Sequence, residues 1–389
     1  MLVAIVLGSI GPTVALINSP TASAAPTAAP AVAPITSAVV QGGDTWLVVP
    51  MGHLHSSLNT FWQLFVRTPT GAGWATVTPP GVADNGGLVF GTAPGGGLLS
   101  GFLVSQFLTF SPLSTTGDSG RTWRGVYFPE ALIDVPDALG GTASGPALGL
   151  GRSGGGTLLE AGPNLSSWRP AITARRLART PAGARCGVER LTATAVAPNG
   201  DPLVGTECRR RGTVGLFDVA DPDAEAVTFP GSSTLGAAAV SVLRLAPTTG
   251  GLAVLLRAEQ RGGRTTIVAG WLGDGTQPAE LSTPLALPAG ARLEASGTTP
   301  GGGLFVLLQP AGGGAPELAD VSTPAPAATG WNVLPHPPRG TVAAAFSPGR
   351  IDAVTVHSST LIDYSFDDAS ATWVQSQVVH VDIQYGSSD

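Results

Sequence analysis

Lysine is absent from this sequence: all 20 basic residues are arginine, and they face 26 carboxylates for a net charge of −6. Only 12% of residues are charged, which leaves no dense basic stripe of the kind a phosphate backbone requires. The densest arginine groups are Arg175, Arg176 and Arg179, then Arg209, Arg210 and Arg211. They read as solvated loops or strand ends, so nucleic acid is not an expected partner. Arginine without lysine, amid abundant alanine, glycine and proline, resembles the coding of a GC-rich bacterial genome. Cysteine is nearly missing as well. Cys186 and Cys208 are the whole supply, which excludes a cysteine-rich metal framework and leaves one pair bracketing one segment. In an oxidising compartment that pair is expected to close a disulfide; the plainer alternative is two small buried apolar residues. No G-x-x-x-x-G-K-S/T loop, H-E-x-x-H helix or serine elbow occurs, so nothing implies a cofactor.

The N-terminus lacks charge altogether, since the first charged side chain is Asp44. Residues 2–17 form an apolar run interrupted by Gly11 and Pro12, and Ala22, Ser23 and Ala24 then supply small residues at the spacing a signal peptidase reads. The run is short of the roughly 20 residues that a spanning helix needs. Residues 1–24 are therefore expected to be a signal peptide, or an N-terminal anchor if uncleaved, which is the one route to membrane association. Residues 25–37, mainly Ala, Pro, Thr and Ser without periodicity, read as a flexible linker. The folded part is expected over residues 38–389.

What the chain has in plenty is turn formers: Gly 54 and Pro 34 together exceed a fifth of it, while 43% of residues remain hydrophobic. One pattern recurs, an apolar strand, a Pro or Ser opening a glycine turn, then a second strand of Leu, Val or Phe. TAPGGGLLSGF from Thr92, LAPTTGGLAVLL from Leu245 and TTPGGGLFVLL from Thr298 are its best copies, with weaker ones at Ala195, Gly149 and Ala345. The turns fall near Gly96, Gly155, Gly200, Gly250, Gly302 and Gly349, about 50 residues apart, which suits a four-stranded propeller blade. One period earlier, VVQGGDTWLVV from Val39 supplies a seventh copy. The expected fold is all-β, a single β-propeller of about seven four-stranded blades, with six or eight also compatible. Unpaired edges would be exposed unless the ring closed, so ITSAVV from Ile35 and VVHVDIQY from Val378 are expected to share a blade.

Thr116, Asp118, Gly120, Thr122 and Trp123 fit the pattern S/T-x-D-x-G-x-T-W, and here the chain resembles the Asp-box (BNR) repeats of sialidase-like propellers. The resemblance implies a structural turn: the aspartate accepts backbone hydrogen bonds, glycine permits the bend, and tryptophan packs between blades. A degenerate copy holds Ser365, Asp367, Thr372 and Trp373, and Trp74, Trp168 and Trp331 follow other hairpins. Sialidases of this kind use an arginine triad, a tyrosine nucleophile with a glutamate, and an acid/base carboxyl group. This chain departs from that plan. It has three tyrosines, Tyr127, Tyr364 and Tyr385, and no Arg-Ile-Pro motif.

Other catalytic candidates are few. Glu160, Glu207 and Glu259 each end the second strand of a hairpin at a similar point in three consecutive blades and could line a common rim, or could be ordinary strand-end acids. His53 and His55, spaced i, i+2, would share one face of a strand, but two ligands do not make a metal site. The sequence thus points to an exported, monomeric propeller that binds a glycan, peptide or protein at the cell envelope. A carbohydrate-active hydrolase of the Asp-box type is the alternative.

Overall fold

The computed structural model describes residues 37–52, 60–80, 87–103, 108–210, 212–221, 237–248, 250–260, 264–273, 280–323 and 330–382. Their strands fall into seven antiparallel meanders; six repeat the same four positions from the inside outwards, and blade 4 shows the first three of them among the described residues. Blade 1 is β1 (Ser37–Gln41), β2 (Asp44–Gly52), β3 (Thr60–Arg67) and β4 (Ala75–Thr76). Blade 2 is β5 (Leu88–Thr92), β6 (Leu98–Phe102), β7 (Ser111–Thr116) and β8 (Arg124–Phe128). Blade 3 is β9 (Leu139–Gly141), β10 (Ala147–Gly151), β11 (Thr157–Ala161) and β12 (Trp168–Thr173). Two short helices, α1 (Ala174–Leu177) and α2 (Pro181–Cys186), lead into blade 4, which is β13 (Val188–Val196), β14 (Pro202–Cys208) and β15 (Leu216–Asp218). Blade 5 is β16 (Ala237–Thr248), β17 (Gly251–Gln260) and β18 (Thr265–Gly273), with β19 (Glu280–Leu281) and β20 (Leu285–Ala286) sharing its outer position. Blade 6 is β21 (Arg292–Thr298), β22 (Leu304–Gln309), β23 (Glu317–Val321) and β24 (Asn332–Val333). Blade 7 is β25 (Thr341–Ser347), β26 (Arg350–His357), β27 (Thr360–Asp367) and β28 (Thr372–His380).

This is a seven-bladed β-propeller, and the sequence periodicity explains why. Each sheet is apolar on both faces and too small to hide either alone, so stacking blades around an axis is what removes them from water. The largest apolar cluster accordingly crosses blade boundaries, with Phe128 of blade 2 edge-on to Trp168 of blade 3 at 4.9 Å between ring centroids. Phe305 of blade 6 stacks on Phe346 of blade 7 at the same separation. The innermost strands converge so closely that two of them need glycine. A Cβ on Gly91 would sit 2.8 Å from the backbone of Leu139, and one on Gly297 would sit 2.3 Å from the carbonyl oxygen of Ala38.

The repeated tryptophans occupy one blade position, at or just before the outermost strand in blades 1, 2, 3, 6 and 7. Three of them reach back toward the preceding blade. Trp123 Nε1 donates to Val77 O at 3.0 Å, Trp331 Nε1 to Thr283 O at 3.0 Å, and Trp373 Nε1 to Pro335 O at 2.9 Å.

Two expectations about the repeat need correction. The turn at Gly155 joins β10 to β11, the second hairpin of its blade, whereas the other glycine turns join first strands to second ones. Blade 3 makes its first hairpin through Thr142–Pro146 instead, and that one-strand offset is why Trp168 follows Gly155 so soon. The termini also do not share a blade. The strand ending at His380 is the outermost of blade 7, and β1 is the innermost of blade 1, pairing with β2 and, in parallel, with β21 at Ser37–Ser296 and Ala38–Gly297.

Blades 1 and 7 meet through a backbone bond from Gly52 N to Ser358 O at 2.8 Å and through side chains. Arg67 at the end of β3 donates to Asp363 Oδ2 at 3.0 Å and to Asp352 Oδ2, both carboxylates lying in blade 7. Its guanidinium lies 4.3 Å from the centroid of Trp74. Arg350 completes the clasp with Asp352 at 2.7 Å and Asp363 at 2.9 Å, and Gln377 hydrogen-bonds both the N–H and the carbonyl of Trp74.

Candidate functional site

The meander topology gives the propeller two unlike ends. Every innermost strand runs toward the end where the first hairpins turn, and neighbouring turns meet there: Gly95 N donates to Ala143 O at 2.8 Å, and Thr323 Oγ1 donates to Gly302 O at 2.6 Å. Between the ends of β1, β5, β9, β13, β16 and β21 lies a cavity of about 630 Å³ on the axis. Its polar lining is neutral. Thr92, Thr142, Thr194, Thr248, Thr298 and Gln41 are among the residues that line it, beside Phe90, Leu139, Leu245 and the glycine turns. Thr248 has a buried hydroxyl with no hydrogen-bond partner, while Gln41 spans two blades by donating to Gly96 O and Gly97 O.

Only two charged side chains line this cavity among the described residues, Arg244 on β16 and Asp137 just before β9, and they neutralise each other. Both are buried, at 3% and 6% exposure. Arg244 Nη2 and Nε donate to Asp137 Oδ1 at 2.7 and 3.1 Å, and Nη1 donates to Ser296 O at 2.7 Å. The second carboxylate oxygen of Asp137 accepts from Leu245 N at 2.7 Å. Three of the four acceptor positions of the Asp137 carboxylate are thus taken by the protein, and these bonds tie blades 3, 5 and 6 together.

The glutamates singled out from the sequence do not assemble. Glu160 is on the third strand of blade 3, whereas Glu207 and Glu259 are on second strands, toward the end of the molecule away from the cavity. Each meets an arginine of its own blade: Glu160 with Arg169 at 4.0 Å, Glu207 with Arg190 at 2.8 Å, and Glu259 with Arg257 at 2.6 Å. None of the three lines the cavity. His53 and His55 lie outside the described residues, as do Tyr385, Arg211 and residues 1–36.

The Thr116–Trp123 turn is built as its sequence suggests. Thr116 Oγ1 donates to Asp118 Oδ1 at 2.8 Å and accepts from Gly120 N at 3.1 Å. Asp118 accepts from the Thr122 hydroxyl at 2.7 Å and the Thr122 N–H at 2.9 Å. These bonds, the Thr122 hydroxyl first, hold the Asp118 carboxyl down at about 2. Cys186 and Cys208 form a disulfide that ties the end of α2 to the end of β14.

The strongest perturbation of opposite sign is at a residue that does not line the cavity. Burial, reinforced by the neighbouring Asp363 carboxylate, pushes Asp352 in the ring clasp up to about 6 despite Arg67 and Arg350. Neither the clasp nor the Asp137–Arg244 pair was picked out from the sequence, yet a signal was there. Arg244 in VSVLRLA and Asp363 in LIDYSF are single charges inside apolar strands, and Asp352 in RIDAVTV shares its strand only with Arg350, where burial demands a partner.

Together these observations define a class: a β-propeller with a neutral, hydroxyl-lined cavity on its axis. No protein-family model matches the chain, and no curated protein matches it. Among solved structures it is similar to the GH74 xyloglucanase from Xanthomonas campestris, with TM-score 0.54 and 12% identity over 88% of this chain and 54% of that one. It is also similar to a candidate 6-phosphogluconolactonase from Bacteroides uniformis, with TM-score 0.52 and 14% identity over 87% of this chain and 97% of that one. The chain thus spans about half the length of the xyloglucanase, and at these identities the likeness shows the propeller fold alone.

Proposed function

We propose that this chain is an exported propeller that binds a neutral saccharide in its axial cavity and does not transform it. The observation that carries this reading is the state of Asp137: the one carboxylate among the described cavity residues has both oxygens engaged, by Arg244 and by Leu245 N. Glycoside hydrolysis needs two carboxyl groups across a cleft, and a phosphate or carboxylate ligand needs an unpaired cation. The threonine hydroxyls and turn carbonyls suit a ligand that both donates and accepts without charge. The volume, about 630 Å³, suits a mono- or disaccharide or the end of a longer glycan. The Cys186–Cys208 disulfide and the apolar run at residues 2–17 favour an oxidising destination at or beyond the cell envelope. The Thr116–Trp123 turn favours descent from Asp-box propellers, in which such turns are structural.

An array of neutral glycans, read for binding, together with chromogenic glycosides, read for turnover, tests the proposal. Retention of a neutral glycan without glycoside cleavage is the expected outcome. Cleavage of any glycoside would transfer the chain to the hydrolases, and selective capture of peptides would replace the saccharide with a peptide ligand.

A further inference from the structure

Charge is segregated along this chain in a way its modest total conceals. Residues 152–211 hold ten of the 20 arginines but only four of the 26 carboxylates, an excess of six positive charges, which leaves the remainder at minus twelve against the net −6. The fold gathers much of that excess at one place. Arg175 and Arg176 lie on α1, Arg179 follows it, and Arg210 follows β14 beside the Cys186–Cys208 disulfide, with Arg210 N donating to Cys186 O at 3.0 Å. These four side chains are exposed and make no ion pair among the described residues, in contrast to Arg169, Arg190 and Arg209, which meet Glu160, Glu207 and Glu189. Beneath them, Leu177, Ala182 and Cys186 are buried in the core, so the arginines sit on a covalently fastened platform.

The topology places this platform. An outermost strand ends, and an innermost strand begins, at the end of the propeller away from the cavity, so the connection holding α1 and α2 lies there. Ser37 begins the innermost strand of blade 1 at that same end.

We propose that this arginine platform docks the propeller onto an anionic phospholipid surface, leaving the cavity end facing away from it. Guanidinium groups without partners suit phosphate oxygens, and each basic group near an anionic leaflet adds affinity independently of sequence. Among the described residues 152–210 no aromatic side chain is exposed, so bases and sugar rings would have nothing to stack on. That absence favours headgroups over nucleic acid or glycan. The proposal does not depend on the ligand assigned to the cavity.

The test is sedimentation of the full chain with phosphatidylcholine vesicles and with vesicles containing about one-third phosphatidylglycerol, at low and high salt. The N-terminal apolar segment contributes equally to both lipids, so the readout is the preference for anionic vesicles. We expect a preference of about tenfold or more at low salt that disappears at high salt. Arg175→Gln/Arg176→Gln/Arg179→Gln should reduce that preference by about tenfold, while Arg124→Gln at the cavity end leaves it intact. A melting temperature matching the parent shows that the triple variant is folded. Equal partition onto the two vesicle types, an undiminished preference in the triple variant, or capture by soluble polyphosphate without vesicle enrichment would overturn the proposal.

Discussion

Two buried ionic groups cross blade boundaries in this propeller, and they are built on different stoichiometries. At the cavity, one guanidinium and one backbone N–H engage both oxygens of one carboxylate in the Arg244–Asp137 pair. At the ring clasp, two guanidiniums serve two carboxylates whose side chains are fully buried, and Arg67 Nε and Asp363 Oδ1 are left without partners. The strained group holds the first and last blades together, and the quiet one borders the space where a ligand fits. In this protein the carboxyl group pushed up to about 6 lies in the joint between the first and last blades, although perturbed groups often gather at active sites.

Removing the cation from each group should separate their roles. Arg67→Ala strands two buried carboxylates and is expected to cost about 3–5 kcal/mol or more in denaturant unfolding, the largest effect of any substitution considered. Arg244→Ala strands one carboxylate and should fall at the lower end of that range, while also weakening whatever the cavity binds. Equal losses would erase the distinction.

Acidity sharpens the comparison further. Asp352 ionises at about 6 in the fold against its ordinary 3.8, so between those values the folded chain binds the proton and the unfolded chain does not. Its contribution to stability is therefore greatest below about pH 4 and is lost as pH rises through about 6. Melting temperature followed from pH 4 to 7 should show that decline in the parent and a flatter profile in Asp352→Asn. Asp118 behaves in the opposite sense. Its carboxyl group, at about 2, contributes stability that is complete above 3.8 and disappears as pH falls toward 2. Asp118→Asn should blunt that acid limb and lower the melting temperature less than Arg67→Ala does, because the turn is solvated. An unchanged melt across the acid range would count against the structural part given to the turn.

The fold was largely legible because its determinants are local. Glycine turns at Gly96, Gly200, Gly250, Gly302 and Gly349 and the tryptophans before outer strands repeat in every sheet that bears them, so period alone reveals the blade. The misreading at Gly155 shows the limit of that approach, since a first and a second hairpin have the same local chemistry. Ring closure was illegible for a different reason. Arg67 and Asp352 are 285 residues apart, and no local pattern joins them. The cavity was hidden likewise, because its lining is gathered from the ends of six innermost strands that lie far apart in the sequence.

The role assigned to the cavity is most directly tested by calorimetric titration of neutral mono- and disaccharides into three proteins: the parent, Thr248→Trp, which fills the cavity, and Arg350→Ala, which loosens the ring clasp. Equal binding by the parent and the clasp variant, with none by Thr248→Trp, is the expected result. Saccharide binding that survives the filled cavity would place the site elsewhere and contradict it.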